Sequence, residues 1–458
     1  MNHNITSRSI WTIITVVFVL TSCGEEWLEV RSDKKRVVLQ RVSDVQALLD
    51  NSSTMNEAVN PSLGEVSSDL YVITDTRYNA LTNMEQRNAY TWEVDIYEGA
   101  SSSNWSRPYR QILYANLALE ALETVEDKNR YPDAVNNTAG SALFFRSWAF
   151  YQLAQLFCVP FNAETARSDL GIPVRLDSDI NVRSVRSSVY DTYMQINNDL
   201  VKAIPLLPEK PQVPTRPSKA AAYALMAKLQ LEMADYSKAA AYADSCLLLH
   251  GALIDYNTID LEKAYPFSLF NDEVIFHTTM VSSAMFSRAS NYMIDPDLFN
   301  AYDDNDLRKA AFFKANGDAW TFKGNYTGNT RYFSGIASDE VYLISAEAYT
   351  RSRDLETARD RLTTLLAHRY SGHSYGIPPI SDEVGLMKFI INERKKELLF
   401  RGIRWADLRR FNKEKEFETT LYRMVDGRSY ELPPNDKRYV LPIPDEVVLL
   451  TGIAQNIR

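Results

Sequence analysis

Histidines and acidic residues are the first candidates for chemistry in this chain, because these side chains act as bases, acids and metal ligands. Four histidines lie beyond the first few residues: His250, His277, His368 and His373. They form no H-E-x-x-H motif and no close cluster with cysteines, so each is interpreted as a structural or surface side chain. The chain also has no P-loop and no G-x-G-x-x-G turn. The sequence therefore predicts no catalytic residue and no cofactor.

The acidic residues do not form a recognisable metal site or catalytic pair. Residues 303–306, Asp-Asp-Asn-Asp, are suggestive of calcium, but Leu307 would fall at a ligand position and Arg308 where an EF-hand loop needs glycine. No metal site is predicted. Any two of the 59 acidic residues could form the carboxylate pair of a glycosidase, and the sequence does not show which of them meet. A surface glycoside hydrolase therefore stays as an alternative.

Cys23 is a candidate for covalent modification. The apolar run 10–20 is too short to span a bilayer but fits the core of a signal peptide. It leads directly into Leu-Thr-Ser-Cys at 20–23, which resembles a bacterial lipobox. We therefore expect residues 1–22 to be a lipoprotein signal peptide and Cys23 to carry the lipid that anchors the chain to a membrane. The alternative is an ordinary secreted protein with a cysteine there by chance.

Composition limits the class of protein. The 458 residues include 45% hydrophobic and 24% charged residues, which excludes a disordered chain, a collagen and a polytopic membrane protein. With 50 basic and 59 acidic residues, the net charge is -9, so nucleic-acid binding is not expected. Cys158 and Cys246 lie in apolar helical contexts and are interpreted as two buried thiols, with a disulfide as the alternative.

Helical periodicity dominates the chain, so the predicted fold class is mainly α. Helices are expected at 109–125, 142–158, 189–207, 219–233, 237–250, 340–351, 355–370, 382–400 and 405–411. Pro108 is expected to open the first of them. The better strand candidates are 274–277 and 439–441.

One helix-turn-helix pattern occurs twice. In each copy an alanine is followed eight residues later by an aspartate and twelve residues later by a second alanine. The residues are Ala227, Asp235 and Ala239 in the first copy, and Ala346, Asp354 and Ala358 in the second. Small residues at this spacing let antiparallel helices cross closely, which indicates tetratricopeptide-type pairs. Two unrelated Ala-rich hairpins are the alternative. The predicted helical frame covers roughly 107–250 and 336–411.

Two long segments, 51–106 and 251–335, lack clear periodicity and combine aromatic residues with Asn, Asp, Ser and Gly. Long irregular segments in a compact protein are usually functional. Sugars stack on aromatic rings while polar side chains bind their hydroxyls. The ligand-binding candidates are Arg77, Tyr78, Trp92, Asn104, Tyr292, Trp320 and Tyr326. Trp320 lies in a polar, Gly-rich stretch and is expected to be exposed; the alternative for each ring is a place in the core.

Several ordered motifs resemble those of the RagB/SusD family of nutrient-uptake outer-membrane lipoproteins. They are W-x3-Y-x2-I-x3-N at 105–116, F-R-S-W-x2-Y-x-L at 145–153, D-L-x2-A at 199–203, R-x-S-K-x-A at 216–221, F-x2-Y-x3-D-L-R at 299–308, N-E-R-K-K-E-L at 392–398, G-x-R-W-x-D-L-R at 402–409 and L-P-I-P at 441–444. Arg401 stands where the family usually has Glu. Residues Glu393, Arg394, Glu397, Arg404 and Asp407 are interpreted as structural ion-pairing groups.

The resemblance implies a SusD-like fold in which residues 23–458 form one domain, with the helix pairs framing a loop-rich ligand-binding region. It implies a lipoprotein on the cell surface that captures an oligosaccharide and hands it to a SusC-like TonB-dependent transporter in the outer membrane. Glu25, Glu26 and Glu29 resemble the surface-export signal of Bacteroidetes lipoproteins. A family member that delivers peptides is the main alternative.

Overall fold

A computed structural model describes residues 39–458, and Arg41–Arg458 form one compact unit. Residues 39 and 40 precede this unit and contain no helix or strand. The α-helices are α1 (Val42–Leu49), α2 (Ser52–Met55), α3 (Leu63–Ser67), α4 (Asp75–Asn79), α5 (Met84–Tyr90), α6 (Ser103–Thr124), α7 (Pro132–Phe157), α8 (Val189–Leu206), α9 (Lys219–Glu232), α10 (Tyr236–Leu249), α11 (Pro296–Asn300), α12 (Arg308–Phe312), α13 (Ser338–Arg351), α14 (Leu355–Ala367), α15 (Glu383–Glu397), α16 (Arg404–Phe411) and α17 (Asp445–Thr451). The strands are β1 (Tyr71–Val72), β2 (Val274–Phe276), β3 (Met293–Ile294), β4 (Phe313–Asn316), β5 (Ala319–Phe322), β6 (Ile336–Ala337), β7 (Leu421–Val425) and β8 (Arg428–Leu432). The mainly helical fold class is confirmed.

The long helices pack in sequence order into a helical frame, α6 on α7, α7 on α8, α8 on α9, and α9 on α10. Helix α10 then packs directly on α13, although residues 250–337 separate them in the chain. Helix α13 in turn packs on α14 and α15 around buried leucines and alanines. The intervening segment therefore interrupts the helix array in sequence but not in space.

The two copies of the repeated motif have the same turn. Asp235 and Asp354 each cap the second helix of a pair, because their side chains accept a hydrogen bond from the backbone N–H three residues later. The residue before each aspartate has a left-handed backbone, with φ +58° at Ala234 and +65° at Arg353. Matching caps and matching backbone turns confirm the prediction of paired antiparallel helices.

The predicted helices form, mostly within a few residues of the predicted ends, although α7 begins at Pro132, ten residues before the predicted start. Helix α6 begins earlier than expected, because Ser102 caps it by accepting a hydrogen bond from the N–H of Asn104. Pro108 therefore lies inside this helix and does not open it. The strand prediction at 274–277 is confirmed by β2, whereas the one at 439–441 is wrong, since a short 3-10 turn at Lys437–Tyr439 precedes extended chain there.

The two irregular segments pack against each other. Strand β1 pairs antiparallel with β3, with Tyr71 opposite Ile294. The side chain of Asn60 donates hydrogen bonds to the Thr278 and Ser334 hydroxyls, at 2.7 and 2.8 Å. These buried contacts join residues that are more than two hundred positions apart in sequence.

A buried network of charged side chains ties the irregular region to the helical frame. Arg308 donates hydrogen bonds to Glu393 and Glu397 of α15 at 2.8 and 2.9 Å, and Arg369 links Glu397 to Glu273 at 2.7 Å on each side. We call Asp306, Arg308, Arg369, Glu273, Glu393 and Glu397 the buried ion network. It gives Glu393 and Glu397 the structural role predicted for them, through partners from distant segments.

The other charged residues of the α15–α16 motif are also paired. Arg394 donates two hydrogen bonds to Asp407, each 2.9 Å long, and so joins α15 to α16. Arg404 donates to both carboxylate oxygens of Asp69 at 2.7 and 2.8 Å. Both arginines thus pair with carboxylates outside their own helix, which confirms the structural interpretation.

Candidate ligand-binding site

A β-hairpin carries the most exposed tryptophan of the irregular region. Strands β4 and β5 pair with Phe313 opposite Phe322 and Ala315 opposite Trp320. A two-residue turn joins them, and Gly317 has φ +62° there, a conformation that glycine adopts without steric cost. The Trp320 side chain is 37% exposed, which confirms the expected exposure, although the residue lies on a strand and not in a loop.

Trp320 forms a flat aromatic surface together with Phe299 of α11. The two rings stack with centroids 4.4 Å apart and planes 12° apart. Phe313 packs edge-on against Phe299 at 5.4 Å and supports it from the hairpin. A stacked pair of this kind holds the tryptophan in one orientation, so it offers a ligand a rigid apolar face.

These rings line a cleft of about 770 Å³, which we call the hairpin cleft. Its charged lining residues are Glu262, Lys263, Asp304, Asp306, Lys309, Lys314 and Lys323. The Lys309 ammonium lies 5.2 Å from the centre of the Phe299 ring and 3.3 Å from the Asp304 carboxylate. Lys323 donates a 2.6 Å hydrogen bond to the Leu261 carbonyl, and its partial burial lowers its pKa. The cleft thus combines a flat ring with several ammonium groups.

Five of the seven predicted ligand residues are buried. They are Tyr78, Trp92, Asn104, Tyr292 and Tyr326, each at most 7% exposed. The indole of Trp92 donates a 3.0 Å hydrogen bond to the Ser67 carbonyl, and the Tyr326 hydroxyl donates a 2.7 Å bond to Glu273 of the buried ion network. The four aromatic rings and the Asn104 amide are covered by protein and have no face open to a ligand.

Asn104, Tyr78 and Tyr292 are likewise engaged within the protein. The amide of Asn104 accepts a hydrogen bond from the Ser62 N–H at 2.7 Å. The Tyr78 ring lies under the Arg87 guanidinium at 4.9 Å. Burial raises the pKa of Tyr292 to about 12, so its hydroxyl stays protonated at neutral pH.

Arg77 is exposed but lies away from the hairpin cleft. It belongs to α4, whose last residue, Asn79, donates hydrogen bonds to Asp426 in the β7–β8 turn. Its guanidinium has no hydrogen bond or ion pair with any residue in 39–458. The structure therefore does not bring the seven predicted residues together, and only Trp320 lines a sizeable cleft.

Sequence reasoning missed a second cleft, of about 360 Å³, which we call the Arg107 cleft. Its polar lining residues are Ser53, Glu57, Arg107, Thr279, Ser282, Ser283, Ser287, Thr330, Arg331 and Tyr332. They come from both irregular segments and from the start of α6. The only available signal was composition, since clustered serines and threonines are typical of any loop.

An aromatic path connects the two clefts. Phe322 lies two residues after Trp320 on β5, so both side chains point to the same side of the hairpin. The Phe322 ring stacks on Tyr332, with centroids 6.3 Å apart and planes 16° apart. Tyr332 lines the Arg107 cleft, whereas Phe322 lines neither cleft, so the ring contacts link the two clefts through the body of the hairpin.

A segment with the G-x-S-x-G spacing of serine hydrolases, at 372–376, does not have the geometry of a catalytic nucleophile. That motif needs a serine on a sharp turn between a strand and a helix. Here Ser374 follows a short 3-10 turn, and its hydroxyl donates a 3.1 Å hydrogen bond to the Ser371 carbonyl. His373 is held by the Ala367 carbonyl at 2.9 Å, so it does not contact Ser374 as a base.

The structure describes the acidic run at 303–306 but not the predicted lipidation site. Within residues 39–458, Asp306 bonds Arg308 and Asp304 pairs with Lys309, and no group of three or more His, Cys, Asp or Glu side chains is placed to hold a metal ion. Cys23 and the predicted signal peptide lie outside the described residues. No helix in the described part of the chain is long and apolar enough to cross a membrane.

Comparisons with known proteins agree on one family. Residues 26–231 match the model of a SusD-like family described as starch-binding and associating with the outer membrane, and residues 339–457 match the SusD family model. SusD-like protein P2 of Formosa agariphila is 23% identical, with 78% of this chain and 80% of that protein covered.

Solved structures show the same fold. A SusD superfamily protein from Bacteroides thetaiotaomicron has a TM-score of 0.75 at 20% identity, with 91% of this chain and all of that chain covered. A protein from Bacteroides vulgatus, described as a putative sugar binding protein, has a TM-score of 0.73 at 19% identity, with 92% and 99% covered. At these identities the similarity establishes the fold alone.

Proposed function

Because this chain belongs to the SusD superfamily, we propose that it is a cell-surface lipoprotein that binds oligosaccharides and passes them to a SusC-like TonB-dependent transporter in the outer membrane. The observation that carries the binding step is the exposed, stacked Trp320 in the hairpin cleft. Sugar rings have apolar C–H faces that pack on such a surface, while nearby polar groups bind their hydroxyls.

Titration of the mature chain with a panel of oligosaccharides and peptides tests this proposal. We expect binding of at least one glycan, weakened by Trp320→Ala, and no release of shorter products during incubation. Binding of peptides alone would favour the peptide-delivery alternative. Cleavage of a bound glycan would favour a hydrolase.

The proposed anchor is the lipid on Cys23, with residues 1–22 removed and 23–458 as the mature, single-domain protein. It is supported by the apolar run and the lipobox-like residues at 20–23. In cells, Cys23→Ala should abolish palmitate labelling and release the protein from the membrane fraction. Unchanged labelling and fractionation in that variant would refute this part of the proposal.

The proposed partner is a SusC-like transporter, and its support is the family membership. Mild solubilisation of the native membrane should recover the two proteins as one complex. Recovery of this chain as a free monomer, under conditions that preserve such complexes from related bacteria, would contradict the partnership.

A further inference from the structure

The hairpin cleft has an excess of positive charge, although the whole chain has a net charge of -9. Four lysines line it, and only two of its lining carboxylates, Glu262 and Asp304, are exposed. The third, Asp306, is buried and bonds Arg308 at 2.6 Å. Lys263 and Lys314 make no side-chain hydrogen bond or ion pair within residues 39–458. An acidic protein therefore carries a cationic surface beside its exposed tryptophan.

The Arg107 cleft also contains a positive side chain that has no partner in the described protein. Arg107 is partly buried, and its guanidinium makes no hydrogen bond or ion pair with any described residue. The one carboxylate of this cleft belongs to Glu57, and it is already paired with Arg331. Arg107 therefore has its full set of donors available to a ligand, and a guanidinium binds carboxylate and sulfate-like oxygens in pairs.

The two positive clefts are joined by the aromatic path. One ammonium, that of Lys309, lies over the ring on which Trp320 stacks, and Tyr332 lines the cleft of Arg107. Between them, Phe322 stacks on Tyr332. Trp320 and Tyr332, the rings at the two ends of the path, each line a cleft that also holds a positive side chain.

From this arrangement we propose that the hairpin cleft and the Arg107 cleft form one binding surface for a negatively charged oligosaccharide, bearing carboxylate or sulfate groups. The inference rests on the proposed glycan-binding function and specifies its substrate class. Sugar rings pack along Trp320 and Tyr332, while Lys309 and Arg107 bind the acidic groups. A neutral glycan leaves Arg107 without a partner and Lys309 with Asp304 alone, and gains only the stacking contacts.

Paired ligands test the charge requirement. The mature chain is titrated with a galacturonic acid hexamer and its fully methyl-esterified, neutral form, and with a sulfated galactose hexamer and its desulfated form. We expect at least one acidic member to bind about tenfold or more tighter than its neutral counterpart, a difference of about 1.4 kcal/mol. Because ions screen charge interactions, this advantage should shrink as the salt concentration rises. The better of the two acidic sugars identifies the charged group.

Charge-removing variants test the two ends of the surface. Lys309→Gln and Arg107→Gln should each weaken binding of the acidic sugar by about tenfold and leave the neutral sugar unchanged. Lys388→Gln is the matched control, because Lys388 is exposed on α15 and makes no ion pair with described residues. Melting temperatures of all three should match the unsubstituted protein, since none of these side chains is buried.

The outcomes separate this inference from the function on which it rests. If a neutral glycan binds best and neither variant changes its affinity, the charge requirement is wrong but glycan capture stands. An effect of Lys309→Gln without any effect of Arg107→Gln refutes the joined surface. If no glycan binds, or only acidic peptides bind, both proposals fail.

Discussion

Two groups of charged side chains, the buried ion network and the hairpin cleft, lie close in sequence but have opposite environments. Arg308 is fully buried and donates to three carboxylates, whereas the neighbouring residue, Lys309, is partly exposed and faces a single exposed aspartate. Buried charges must be paired because desolvation costs several kcal/mol per ion. Exposed ones can stay unpaired and remain available to a ligand. The comparison shows that burial decides the role of a charged side chain here: a buried one stabilises the fold, and an exposed one is available to a ligand.

The largest effect is expected from breaking the buried ion network. Arg308→Met removes the one cation among the described residues that bonds all of Asp306, Glu393 and Glu397. Three buried carboxylates then have only Lys396 and Arg369 to balance them. We expect a loss of about 3–5 kcal/mol of unfolding free energy. Urea unfolding measures it, with Arg110→Met as the control, because Arg110 is exposed and makes no ion pair within residues 39–458. Equal effects of the two substitutions would contradict the structural role.

A smaller effect on unfolding free energy is expected from Glu65, which is buried and has a hydrogen-bond partner for only one of its two carboxylate oxygens. One carboxylate oxygen accepts the Gly402 N–H at 2.8 Å, and the other has no partner among the described groups. Burial, the dominant cause, raises the pKa of Glu65 from its ordinary 4.5 to about 8. Between these values the folded state holds a proton that the unfolded state has lost, so stability falls as the pH rises.

Glu65→Gln should remove this pH dependence, since glutamine has no proton to lose. From pH 6.5 to 8, the unsubstituted protein should therefore lose about 2 kcal/mol more unfolding free energy than the variant. His277, whose pKa burial lowers to about 4, and Glu273, whose pKa burial raises to about 7, are present in both proteins, so their contributions cancel in this difference. Parallel pH profiles for the two proteins would show that Glu65 is not protonated in the fold.

The next smaller effect is expected in the hairpin cleft, on glycan affinity. Trp320→Ala removes the stacking face of the hairpin cleft, and we expect about tenfold weaker glycan binding, or about 1.4 kcal/mol. Its melting temperature should change little, because the side chain is partly exposed. Tyr422→Ala is the matched control: Tyr422 is also an exposed aromatic on a two-stranded hairpin, and it is expected to have no effect on binding. A large drop in the melting temperature of Trp320→Ala would instead assign Trp320 to the core.

The smallest effect is expected from Asp304→Asn, which breaks the exposed pair with Lys309. Water already solvates both groups, and Asp304 is 99% exposed, so the melting temperature should not change measurably. The same substitution frees Lys309 and should slightly tighten binding of an acidic sugar. A clear loss of stability would show that exposure does not separate the two charge groups.

The sequence by itself determined the helical frame, its repeated turn and the family. Helix periodicity, the aspartate caps at 235 and 354, and the spacing of small residues depend on neighbours within a few positions, so they are readable from the chain. The exposure of Trp320 was also predictable, because polar and glycine residues surround it in sequence.

Only the tertiary structure decided which of the other aromatic residues are buried. Trp92 packs under Arg423, more than three hundred residues away, and Tyr326 bonds Glu273 and lies beneath Arg401. Nothing near these rings in sequence marks them as core, since the residues that cover them come from distant segments. The Arg107 cleft was hidden for the same reason: its lining exists only where both irregular segments meet the start of α6. Burial is a property of contacts across the chain, and local pattern does not encode those contacts.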